Sequence, residues 1–182
     1  MPTIFAHAVS AVALASHYKR AERPTRFWIL AIVCSILPDV DVIGFELGIK
    51  YGDLFGHRGF SHSLLFAFIV SLFVVLSAFR SIPRFSRQWF YMILFFFLVT
   101  ASHGFLDAFT NGGLGVAFFS PFDTTRYFFP WRPLDVSPIG IRSFFNRYGL
   151  KVLKTEFLWI WIPSILFILA SLMFRKKSRP PS

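Results

Sequence analysis

Four apolar segments, residues 27–45, 62–79, 88–109 and 157–174, limit what this chain can become. Each approaches the roughly 20 residues needed to cross about 30 Å of hydrocarbon. The fold class they predict is all-α, a polytopic membrane bundle of four to five helices. The uncertain fifth member is residues 3–18, shorter and richer in alanine. It reads as a thin span, a re-entrant helix or an interfacial one. A cleaved signal peptide is disfavoured, because no basic residue precedes its apolar core. At 182 residues, 55% of them hydrophobic and 26 of them phenylalanine, the chain is expected to form one membrane-embedded domain, 1–182. The single cysteine, Cys34, lies in an apolar run, so neither a disulfide framework nor a thiolate zinc site is expected.

Charge gives the expected orientation. Connections 18–26 and 80–88 and the tail 175–182 hold eleven basic residues in 26 positions, and the other eight are spread over connections 46–61 and 110–156. The short basic loops and the tail are therefore expected on the cytoplasmic side of an inner (plasma) membrane, with the longer connections outward. Anchoring explains the net charge of +10, so no nucleic-acid partner is expected. The partner is the lipid bilayer. Residues 143–153, within the long loop, are expected to form a helix lying on the membrane surface.

An ionisable residue near hydrocarbon costs several kcal/mol unless something holds it. His103 and Asp107 are four apart, on one helical face. They suit zinc or manganese, although a histidine hydrogen-bonded to a carboxylate would have the same spacing. His57 and His62 flank a glycine-loosened turn, where Ser61 is expected to cap the next helix and Arg58 offers a fork for phosphate or carboxylate. Pro38 should end or kink its span, leaving Asp39 and Asp41 at the far end. An unbroken helix would let only one of that pair face a given site. His7 joins them if the first stretch crosses with its N terminus outside, whereas His17 belongs to the opposite face. Candidate ligands from separate segments thus converge on one membrane face, which favours a metal site over scattered structural histidines.

The runs LPDVD, GHRGFSHS and SHGFLDAFTNGG, followed by FFPWRP, resemble the YdjM-like membrane-bound metal-dependent hydrolases of bacteria, from His7 to about Gly140. More distantly, the order His, Asp, His, His-x-x-x-Asp is similar to the zinc-dependent phospholipase C and single-strand nuclease superfamily. That similarity implies that His7 binds one metal, and that Asp39, His57 or His62, and His103 bind another, with Asp107 bridging. Those soluble enzymes continue with further histidines for a third metal, and no histidine follows His103 here.

The expected function is metal-assisted hydrolysis of a phosphoester or lipid-linked substrate at the outer membrane face, with one or two zinc ions, or manganese, as cofactor. Asp41 is the expected orienter or general base, and Arg58, Arg126 and Arg132 would hold an anionic group. A non-catalytic metal-binding membrane protein, a scaffold or transport-associated subunit, is the other expectation. The apolar midpoints of the spans speak against transport itself.

Overall fold

The computed structural model describes residues 1–18, 24–138 and 144–177, with side chains to 174. Small hydroxyl or amide side chains cap the first, third, fourth and fifth of its helices, whereas the second begins after Pro24 without a side-chain cap. Helix α1, Ile4–Ser16, starts at Thr3, whose hydroxyl accepts from the Ala6 N–H. Helix α2, Thr25–Ile36, passes at Leu37 into a 3-10 helix, Leu37–Phe45, with Pro38 in its first turn. Helix α3, Leu64–Ala78, and α4, Arg87–Ala108, are capped by Ser63 and Ser86. Helix α5, Arg147–Glu156, is capped by Asn146 and continues through a π-helical turn, Phe157–Trp161, into α6, Ile162–Lys177. Among the described residues β-structure is limited to two isolated bridges, Thr110 with Leu134 and Val116 with Tyr127.

The all-helical expectation holds, with two adjustments of detail. Three continuous helices have the length and apolar character of spans: Thr25–Phe45, Arg87–Ala108 and Arg147–Phe174. Helices α1 and α3 are apolar but have only 13 and 15 residues, about 20 and 22 Å of rise. Ser61 is not the cap of α3. Ser63 is, accepting from the Phe66 N–H, and His62 ends a separate 3-10 turn, Phe60–His62. The helix expected over 143–153 appears as α5 over 147–156, continuous with the last candidate span rather than set apart from it; Ser143 lies outside the described residues, as do Lys19, Arg20, Arg23, Arg142 and Arg179.

Alanines let the short first helix sit close to its neighbours. Ala11 and Ala15 are fully buried against a core of Phe27, Ala31, Phe95, Phe96 and Val99. Small residues at such interfaces allow backbones to approach where lipid supplies no hydrophobic drive. The outer faces are the reverse: Phe73 on α3, Leu94 on α4, and Leu166 and Met173 on α6 are exposed. An apolar exterior of this extent suits a bilayer rather than water.

The bundle has two chemically different ends. At one, the Arg26 guanidinium lies over the Phe79 ring and Arg87 donates to the Tyr91 hydroxyl, while Tyr18 donates to the Tyr91 carbonyl. At the other, Glu156 is fully buried and accepts from the Thr3 N–H at 2.5 Å and the Thr3 hydroxyl at 2.6 Å. The start of α1 is thereby tied to the end of α5. A hydrogen bond to a charged acceptor contributes about 1.5–3 kcal/mol, so Glu156→Ala is expected to lower the thermal midpoint in detergent by several degrees. Glu46→Ala, at an exposed position, should leave that midpoint unchanged.

Candidate metal centre

The second end of the bundle collects the histidines and aspartates. Asp39 and Asp41 arrive on the 3-10 helix, whose three residues per turn place side chains two apart only about 120° from each other. Both can therefore flank one imidazole, which an unbroken α-helix would have prevented. His103 and Asp107 stand one turn apart on the inner face of α4, His7 comes from α1, and His57 and His62 come from the loop before α3. The four segments meet in one place, as the sequence predicts.

Four atoms form the tightest group. His103 Nε2 lies 3.1 Å from His62 Nε2 and 3.2 Å from Asp39 Oδ1. His62 Nε2 lies 3.6 Å from Asp39 Oδ1 and 3.4 Å from Asp107 Oδ2. Zinc holds nitrogen and oxygen ligands at about 2.0–2.2 Å, so neighbouring ligands of a tetrahedral ion lie about 3.3–3.5 Å apart. The observed separations bracket that edge length. The side chains of His62, His103 and Asp107 have no solvent exposure and that of Asp39 has 8%, so bulk water does not satisfy them.

The outer nitrogens of the two imidazoles are already engaged. His103 Nδ1 donates to the Ser35 carbonyl at 2.7 Å, and His62 Nδ1 faces Asp41 Oδ2 at 3.1 Å. Each contact fixes the tautomer that turns an Nε2 lone pair inward, the arrangement by which an outer partner orients a metal-ligating histidine. The two ring nitrogens, 3.1 Å apart beside two carboxylates, form a group that could hold a metal ion. Both oxygens of Asp39 and of Asp107 are buried without a hydrogen bond, and such an ion would satisfy them.

Asp41 gathers a second group, with His57 and His62. Its Oδ1 accepts from His57 Nδ1 at 2.7 Å; its Oδ2 accepts from the Ser61 hydroxyl at 2.5 Å and the Arg58 N–H at 3.2 Å. His7 stacks on His103 with ring centroids 3.8 Å apart, and its Nε2 lies 3.8 Å from Asp107 Oδ1. Neither His7 nitrogen has a hydrogen-bond partner.

The three arginines stand in different surroundings. Arg58 is fully buried, with Nε 3.0 Å from Asp107 Oδ2 in an ion pair too bent to be an aligned hydrogen bond. Its other nitrogens donate to the Gly112 carbonyl and the Thr110 hydroxyl. Arg126 donates to the carbonyls of His57, Tyr51 and Asp53 and so ties two loops together. Arg132 is exposed over the Phe128 ring, and no described contact joins it to the histidines.

Several contributors were not singled out from the sequence. Ser35 acts through its carbonyl, which no side-chain motif reveals. Thr110 and Gly112 belong to the TNGG turn that follows α4. At Gly104, a Cβ would come within 2.9 Å of the His62 carbonyl oxygen, so glycine there lets the His62 turn rest on α4. The glycine directly after His103 was the available signal.

Such an architecture defines a class: an integral membrane helix bundle with a buried histidine–aspartate cluster suited to a metal ion. The chain belongs to the YdjM inner membrane protein family, whose pattern matches residues 1–178. It is 35% identical over 182 residues to the inner membrane protein YbcI of Escherichia coli (strain K12), covering 97% of this chain and all of that relative. No solved structure matches it.

Purified protein should carry metal that His103→Ala or Asp107→Ala removes and His17→Ala leaves, as read by elemental analysis. Imidazole and carboxylate ligands must be deprotonated to bind. Metal should therefore be held at neutral and alkaline pH and released on acidification.

Proposed function

We propose that this protein is a membrane-bound metal-dependent hydrolase acting on a phosphoester or lipid-linked substrate at the outer face of the inner membrane. The observation that carries the reading is the four-atom group of Asp39, His62, His103 and Asp107, whose separations match the edges of a zinc coordination shell. These residues would hold a zinc or manganese ion. The unpartnered His7 Nε2 and Asp107 Oδ1 offer donors for a second. A bound ion would supply Lewis acidity, lowering the pKa of a water and polarising the scissile group.

The remaining roles belong to the chain itself. Asp41, its oxygens already taken by four donors, positions His62 and His57 rather than collecting a proton. His57 gives its Nδ1 proton to that contact, which leaves Nε2 to accept or return one. Arg58 opposes the charge of Asp107 and holds it in place. The exposed Arg132 is the arginine available to an incoming anionic group.

A non-catalytic metal-binding protein is the second reading, and one observation favours it. Four protein ligands are enough to close a tetrahedral shell, as in structural zinc sites, whereas a catalytic zinc keeps an open position. Asp41→Asn separates the two readings. Assayed with excess zinc and a chromogenic phosphoester, hydrolysis requires the variant to load metal and lose about 10- to 100-fold in rate. In cells, full rescue of a deletion phenotype by stable, inserted Asp41→Asn and Asp107→Ala variants would exclude catalysis.

The orientation has its own test. In a Cys34→Ser background, an impermeant thiol reagent outside intact cells should label Asp123→Cys and spare Ser81→Cys, both at exposed positions. Equal labelling would overturn the assignment of the basic loops to the cytoplasm.

A further inference from the structure

An apolar groove of about 420 Å³ runs along the 3-10 helix beside the metal centre. Val40, Ile43, Leu47, Phe55, Phe60 and Phe66 supply much of its wall, and Asp41 and Ser61 stand among them. Ser61 donates to Asp41 at 2.5 Å, and Asp41 in turn holds His57 and His62. The polar end of the groove is therefore one side chain away from a candidate metal ligand. Val40, Ile43, Leu47 and Phe55 are 53%, 58%, 76% and 62% exposed, a continuous apolar border at the end of a helix long enough to cross a membrane.

We infer that this groove holds one hydrocarbon chain of a bilayer amphiphile, with its head-group end toward the His/Asp cluster. Its volume falls within the range of about 300–1,000 Å³ typical of small-molecule sites. A chain entering it from lipid exchanges one apolar environment for another, so no water must be stripped from the chain. The same wall offers a small water-soluble substrate nothing to bind. The groove thus contributes position more than affinity, holding the first bonds beyond the chain next to the His/Asp cluster. That the occupant is a substrate rests on the hydrolase reading; that it is a lipid chain does not.

The test uses the full-length protein in phosphatidylcholine vesicles containing a trace of phosphatidylcholine with a photoactivatable diazirine near the head-group end of one acyl chain. Adducts are mapped by mass spectrometry, and metal content is measured on the same samples. Label should concentrate at Ile43, Phe60 and Phe66 over Phe73 and Leu94, which face outward elsewhere. Val40→Trp, or Ile43→Trp should the first variant fail to fold, should cut groove labelling about tenfold, a loss of about 1.4 kcal/mol, with metal retained. Equal labelling of the groove and of Phe73 and Leu94, or labelling indifferent to both tryptophans, would show ordinary boundary lipid and overturn the inference. Protein cross-links in place of lipid adducts would overturn it as well. Metal retained without groove labelling rejects the groove alone. Groove labelling on metal-free protein rejects the hydrolase reading and leaves the chain site standing.

Discussion

Asp39 and Asp107 place two carboxylates where bulk water does not satisfy them, and the organisation of that end of the molecule follows from this. A buried ionised carboxylate costs several kcal/mol unless charge and hydrogen bonds compensate. Here compensation comes from imidazoles on the 3-10 turn and α4 and from the Arg58 guanidinium, and the four inward donors could hold a metal ion besides. Removing any one of these leaves the others with uncompensated charge. Interdependence of this kind explains why four chain segments, distant in sequence, are drawn to one point.

Local structure gives way to that requirement. The second span leaves α-helical geometry at Leu37, giving up regular hydrogen bonds so that Asp39 and Asp41 can address the two sides of His62. Arg58 adopts a left-handed backbone, φ 62°, a conformation that costs a non-glycine residue about 1–3 kcal/mol. Its side chain is held by contacts from Asp107, Thr110 and Gly112, and its N–H by Asp41. Strain is tolerated where surrounding bonds determine the geometry several times over.

Much of this was legible in the sequence. Apolar length gave the helices at 27–45 and 88–109, and the i, i+4 spacing of His103 and Asp107 gave their common face. The glycines around His57 marked a tight turn, and a Cβ at Gly56 would indeed come within 2.2 Å of the Lys50 carbonyl oxygen. Less legible was the identity of the cap before α3, because Ser61 and Ser63 carry the same chemistry two residues apart. Only the competing attraction of Asp41 assigns Ser61 to the site and leaves Ser63 to the helix. The division of labour between His57 and His62 was hidden for a similar reason, since both are histidines in one loop.

The sequence by itself determined the solvent and the parts. Apolar segments of span length require a bilayer, and their few ionisable residues require a common purpose, because each is too costly there alone. Tertiary structure decided which atom faces which. Tautomer, ligand order and the enclosure of Arg58 depend on distances of a few ångströms between segments up to a hundred residues apart. Such distances are set by packing of α1, α2 and α4 around small side chains, and no local pattern encodes them.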